Sequence, residues 1–169
     1  GEGAFEECSI LSEINIPSSV TKIGSYAFCE CPSLEQIIFP PEVVFIGGCA
    51  FANCISLMKI TIPPLITSIR ESTFRFCVSL KEIIMPSSLT TISKCAFYGC
   101  SELETISLPT SLVLIDDHAF YDCNSLKKII IPESTRKIGK EAFKYCTSLT
   151  EIKIYSFNTI IGPNAFDCC

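Results

Sequence analysis

The chain has 169 residues with a formal net charge of −5 and neither an acidic nor a basic block, which gives no support to nucleic acid or an anionic membrane as a partner. Hydrophobic residues make up 48% and charged residues only 18%, a balance that suits many buried faces, while no run of about 18 apolar residues marks a membrane span. Twelve cysteines raise the question of a disulfide framework, which the order of the chain answers differently.

From the N-terminus, Phe5 is followed by Cys8, and the pair returns every 23 residues as Phe28–Cys31, Phe51–Cys54, Phe74–Cys77, Phe97–Cys100, Phe120–Cys123, Phe143–Cys146 and Phe166–Cys169. No insertion breaks the series, and a strict period of this size is the signature of stacked repeats. Next come Leu11, Ile14 and Ile16, repeated as Leu34, Ile37 and Phe39 and so on to Leu149, Ile152 and Ile154. This stretch ends in period-two alternation and predicts a short strand. A proline then closes the strand in six units, at Pro17, Pro40, Pro63, Pro86, Pro109 and Pro132, with Tyr155 in that place in the seventh. The pair Val20 and Ile23, repeated at Val43 and Ile46, Ile66 and Ile69, Leu89 and Ile92, and Leu112 and Ile115, predicts a second extended segment. It decays to Thr135 with Ile138 and Asn158 with Ile161. The A-F-x-x-C corner has near-helical spacing over too few residues for a stable helix, which predicts one turn of helix or 3₁₀.

One unit cannot bury its apolar side chains alone, but stacked units bury them against one another. At roughly 4.8 Å per strand, seven units would build a rod about 35 Å long. The chain opens in mid-unit at Gly1 and stops on the repeat cysteine Cys169, with no polar capping unit at either end. The expectation is a single solenoid over residues 1–169, cut from a longer array, with no leader within these residues and with terminal layers that favour end-to-end association. No N-x-S/T acceptor is present.

The unit A-F-x-x-C-x-x-L-x-x-I-x-I-P-x-x-V-x-x-I resembles that of BspA-like leucine-rich repeats over the whole chain. It departs from the commoner L-x-x-L-x-L-x-x-N pattern, because Ser19, Glu42, Leu65, Ser88, Ser111, Ser134 and Phe157 stand where the asparagine would. The resemblance implies an α/β fold: a right-handed leucine-rich-repeat solenoid of short strands, one short helical or 3₁₀ turn per repeat, and a parallel sheet on the concave side. It also implies a cell-surface or secreted protein of adhesion, binding host, matrix or partner-cell proteins. An intracellular scaffold is the alternative use of the same solenoid, and fold alone does not decide between them.

Each repeat cysteine reads as a small, buried free thiol, because side chains in one column point the same way and make poor disulfide geometry. Cys29, Cys49, Cys95 and Cys168 break the pattern. Cys95 shares a column with His118 and Glu141, but three residues along one edge are a poor zinc site, and the Cys95–His118 pair reads as two ordinary convex-edge side chains rather than a nucleophile–base dyad. No phosphate-binding glycine motif is present, so the reading is non-enzymatic, without cofactor or metal, and directed at an unidentified protein ligand.

The concave face carries the candidate contact residues, on the strand positions that point out between the core residues. They are Gln36, Ile38, Lys59, Thr61, Glu82, Ile84, Thr105, Ser107, Lys128 and Ile130. Ile38, Ile84 and Ile130 recur on alternate units, although β-branched residues there also stabilise a sheet without any ligand. Val44 with Phe45 and Val113 with Leu114 form the alternative patch, standing where other units carry polar pairs.

Overall fold

The computed structural model describes residues 1–169. Each coil is built from two extended segments joined by tight turns, and every strand pairs in parallel with the segment 23 residues away. The strands in chain order are β1 (Lys22–Ile23), β2 (Phe45–Ile46), β3 (Lys59–Thr61), β4 (Ser68–Ile69), β5 (Glu82–Ile84), β6 (Thr91–Ile92), β7 (Leu114–Ile115), β8 (Lys128–Ile131), β9 (Lys137–Ile138), β10 (Glu151–Ile154) and β11 (Ile160–Ile161). Forty buried residues form one continuous core running from coil to coil. The result is a parallel β-solenoid, as the period requires.

The two extended segments give two ladders of different quality. The I-x-I segments make the first ladder, which is broken into β3–β5 and β8–β10 with single bridges at Asn15–Ile38 and Thr105–Lys128. The second segments make the longer sheet, five strands in the order β11-β9-β7-β6-β4, with β1–β2 as a separate pair. Proline explains the contrast. In six units the first segment ends at a proline, which has no N–H, whereas the second segments continue the ladder through Ser93 N–H to Ile69 O and Gly139 N–H to Ile115 O, 2.9 and 2.8 Å. Where Tyr155 replaces the proline, its N–H reaches Ile131 O at 3.2 Å, and the β8–β10 pairing extends to four residues. The prolines instead open tight turns, their carbonyls accepting from the residue three later, as at Val43 N–H to Pro40 O, 3.2 Å.

The corner corrects the expectation of a helical or 3₁₀ turn, because the chain contains no helix. Each corner holds two residues in the left-handed region, for example Cys95 at φ 54° and Gly99 at φ 71°, or His118 at 57° and Asp122 at 59°. A helix needs consecutive right-handed residues, so these positions break it. Alternate N–H groups turn to the neighbouring coil instead: Phe97 N–H donates to Ala119 O at 2.8 Å and Phe120 N–H to Ala142 O at 2.7 Å. The corner is thus a third backbone ladder.

That ladder explains the period. The eight phenylalanine rings stack along the rod with centroids 5.1–5.6 Å apart and planes within 12° of parallel. All twelve cysteines are free thiols. Each repeat thiol from Cys31 onward donates to the carbonyl of the phenylalanine 26 residues earlier: Cys54 to Phe28 O at 3.0 Å, Cys100 to Phe74 O and Cys77 to Phe51 O at 3.1 Å. The cysteine is therefore more than filler, since it clips one coil to the coil before. Burial pushes the Cys54 and Cys146 thiols up to about 12 and holds those of Cys77, Cys100 and Cys123 well above the ordinary value.

Candidate protein-binding face

The strand alternation dictates what the first ladder shows to solvent. Ile37, Ile60, Ile83 and Ile129 point into the core and are buried, so their neighbours point out. Ile38, Ile84 and Ile130 are 78%, 44% and 38% exposed. They do not touch as a block, because Thr61 and Ser107 occupy the coils between them. Gln36, Lys59, Glu82, Thr105 and Lys128 are likewise exposed. The structure therefore brings all ten sequence-nominated residues onto one face.

Charges on this face neutralise one another across coils. Lys59 pairs with Glu82 at 2.9 Å and Lys128 with Glu151 at 3.0 Å, and within its own coil Lys153 reaches the same Glu151 at 2.7 Å. Hydrogen bonds from both lysines hold the Glu151 carboxyl below the usual carboxylate range. Such exposed pairs add little stability, but they leave a face with little net field.

A groove of about 770 Å³ crosses the C-terminal half of this face. Four nominated residues line it, Thr105, Ser107, Lys128 and Ile130, and Tyr155 and Phe157 line it with them. Tyr155 is 58% exposed and Phe157 fully exposed. The sequence reading passed over these two, although both break their columns: Tyr155 stands in the proline column, and Phe157 stands where five of the other units carry serine or glutamate. Column breaking was the available signal.

The alternative patch does not assemble. Val44 with Phe45 and Val113 with Leu114 lie three coils apart, separated by Thr67 with Ser68 and Thr90 with Thr91. The Arg70 guanidinium sits over the Phe45 ring at 4.5 Å, and Leu114 is half-buried within the five-stranded sheet. Along the corner, His118 Nε2 meets Glu141 Oε2 at 3.2 Å while its Nδ1 is buried without a partner. No group of three His, Cys, Asp or Glu side chains gathers there or elsewhere in an arrangement that could hold a metal ion. No helix is long and apolar enough to cross a membrane.

Comparison with known proteins gives the same unit. A family profile described as BspA type leucine-rich repeat region matches in six copies, over residues 1–94 and 67–169. No curated protein matches the chain. Among solved structures, the T. pallidum leucine-rich repeat protein TpLRR is similar with a TM-score of 0.89 and 30% identity, covering 94% of this chain and 76% of that one. A leucine-rich repeat protein of Eubacterium ventriosum shares the fold with a TM-score of 0.69 and 24% identity, covering 82% of this chain and 44% of its own. A leucine rich cell surface protein of Faecalibacterium prausnitzii does so at 0.52 and 22%, covering 90% and 62%. With the profile spanning every coil whose phenylalanines, thiols and strands are described above, this chain belongs to the BspA-type leucine-rich repeat family.

Proposed function

We propose that this chain is a non-enzymatic protein-recognition module of a cell-surface or secreted protein, and that it grips its partner with the outer face of the first ladder. The observation that carries this reading is the groove, which falls on the face where the repeat leaves residues free and includes Thr105, Ser107, Lys128 and Ile130. Concave, mostly apolar sites with a few polar groups are the usual form of a binding site. The surface placement draws on the F. prausnitzii relative, which is described as a cell surface protein.

The test is biolayer interferometry of the immobilised chain against purified matrix and cell-surface proteins. At least one should bind, and an Ile38→Asp, Ile84→Asp, Ile130→Asp variant should lose it by tenfold or more. Binding unchanged in the variant would remove the first-ladder face from the account.

An intracellular scaffold is the second reading, favoured by the free state of all twelve thiols, since persistent free cysteines suit a reducing compartment. Cell fractionation with surface labelling separates the two. End-to-end self-association is compatible with either reading. Sedimentation velocity across a concentration series tests it, and a constant monomer would exclude it.

A further inference from the structure

We infer that the N-terminal end of the first-ladder face, around Glu35 and Ile38, receives a segment of the partner protein in which arginine or lysine alternates with apolar residues; this rests on the protein-recognition reading above and specifies the chemistry of the ligand.

Charge gives the sign of that segment. The lysines of this face are all satisfied within the chain: Lys59 by Glu82 at 2.9 Å, Lys81 by Glu102 at 3.4 Å, Lys127 by Glu104 at 2.6 Å, and Lys128 and Lys153 by Glu151. Glu13 and Glu35 stand on the same outward columns, are exposed, and enter no ion pair. Glu35 has a coil on each side of it. Its N–H donates to Ser12 O at 3.1 Å, its carbonyl accepts from Met58 N–H at 3.3 Å, and neither neighbour in the column brings a cation. The deficit extends beyond one residue, because no lysine or arginine occurs between Lys22 and Lys59, whereas Glu30, Glu35 and Glu42 do. A segment that supplies cations is the electrostatic complement of these coils.

The surface around Glu35 adds the apolar requirement. Glu13, Asn15, Gln36 and Ile38 line a hollow of about 440 Å³. Glu35, Ser56, Met58 and Ser79 line a second hollow of about 270 Å³, and the two adjoin through the consecutive residues Glu35 and Gln36. Ile38 is 78% exposed, the most open of the three isoleucines on the face, and Met58 is 48% exposed. Ile38 lies three strand residues from Glu35, roughly 10 Å, and Met58 sits on the next coil, roughly 4.8 Å away. The unpaired carboxylate is thus bracketed by open apolar side chains.

Other occupants fit these coils poorly. A wholly apolar segment would bury carboxylates that have no partner, and a wholly basic one would leave Ile38 and Met58 in water. An acidic or phosphorylated segment would meet two free carboxylates, with the nearest ammonium groups, Lys59 and Lys81, already engaged. Guanidinium groups suit the remaining lining, because the side-chain carbonyls of Asn15 and Gln36 and the hydroxyls of Ser56 and Ser79 accept hydrogen bonds.

Fluorescence anisotropy of the whole chain with three fluorescein-labelled decapeptides tests the inference: an arginine–valine alternation, an arginine–serine alternation of equal charge, and a glutamate–valine alternation. The arginine–valine peptide should bind saturably, at least tenfold tighter than either of the others, and more weakly as salt is raised. Glu13→Gln with Glu35→Gln should weaken it tenfold or more, and Ile38→Ser, which removes the apolar contact without adding charge, threefold or more. Glu30→Gln with Glu42→Gln removes the same charge from outside the first ladder and should leave binding unchanged. All four glutamates are exposed, so unaltered circular dichroism melts are expected, and Glu35→Gln alone provides the readout if a double variant melts early. Equal losses in the two glutamate pairs would reduce the effect to net charge and overturn the inference. So would equal binding of the arginine–serine peptide, preference for glutamate–valine, indifference to Ile38→Ser, or no saturable binding. If a matrix or cell-surface protein binds through the isoleucine face and ignores Glu13→Gln with Glu35→Gln, this inference falls and the recognition reading stands. If no protein binds at all, the recognition reading falls as well.

Discussion

Phe97→Ala would cut the phenylalanine column at its middle. The ring is fully buried and stacked between Phe74, centroid 5.4 Å away, and Phe120, 5.1 Å away. Truncating a buried phenylalanine costs roughly 3–5 kcal/mol through lost transfer energy and the cavity left behind. The two stacked contacts place this site toward the upper end, since aromatic pairs add about 0.5–1.5 kcal/mol beyond area. Phe5→Ala is the internal comparison: that ring is 38% exposed and stacks on Phe28 alone, so roughly 1–2 kcal/mol is expected. Urea unfolding followed by far-ultraviolet circular dichroism gives both values. Because a coil touches only its neighbours, hydrogen exchange in the Phe97 variant should quicken mainly in residues 74–120. A loss below about 1 kcal/mol for Phe97→Ala, or one equal to that of Phe5→Ala, would refute the stacked column as the main support of the core.

Alkaline pH should destabilise the rod. The buried thiols of Cys54 and Cys146 titrate at about 12 in the folded chain, above the ordinary value of about 9 that the unfolded chain shows, so the stability they contribute is present below pH 9 and is lost as pH rises toward 12. Each such thiol should subtract about 1.4 kcal/mol per pH unit in that window, and a Cys54→Ala, Cys146→Ala variant should show a shallower loss in urea titrations at pH 8–11. Gly99→Ala should cost more than roughly 1 kcal/mol, because φ is 71° and an added Cβ would lie 2.5 Å from the Phe76 ring; an unchanged melt would contradict the described corner. Thr135→Val should be neutral or slightly stabilising in the same melt. Its buried hydroxyl donates to Leu112 O at 3.0 Å, but that carbonyl also accepts from Ser134 Oγ at 2.7 Å, and valine restores the apolar column. A loss above about 2 kcal/mol would show that the hydroxyl is needed.

The 23-residue spacing made the solenoid, its register and its buried columns legible, because stacking imposes the same residue on every coil. The corner was not legible. Left-handed positions such as Tyr26, Cys49, Ser72, Cys95, His118 and Glu141 carry five different residue types, so no glycine or asparagine column announced them. The role of the repeat cysteine was hidden for a different reason. Its partner is a main-chain carbonyl, which no sequence column displays, although the constant offset of 26 from phenylalanine to the next coil's cysteine was there to be read. The strength of the second ladder over the first follows from the prolines that were visible all along. On the face, the period pointed to the free positions but favoured those that recur, such as Ile38, Ile84 and Ile130. The groove is walled by Tyr155 and Phe157, which occur once each, and a reading built on recurrence gives single departures little weight.

The recognition account rests on one face of the rod. Hydrogen–deuterium exchange of the chain, alone and with the matrix or cell-surface protein it retains, tests that claim most directly. The account predicts slowed exchange in residues 105–108, 128–131 and 151–157, and no change at 44–45 or 113–114. Protection centred on 44–45 and 113–114, with the first ladder unaltered, would contradict it.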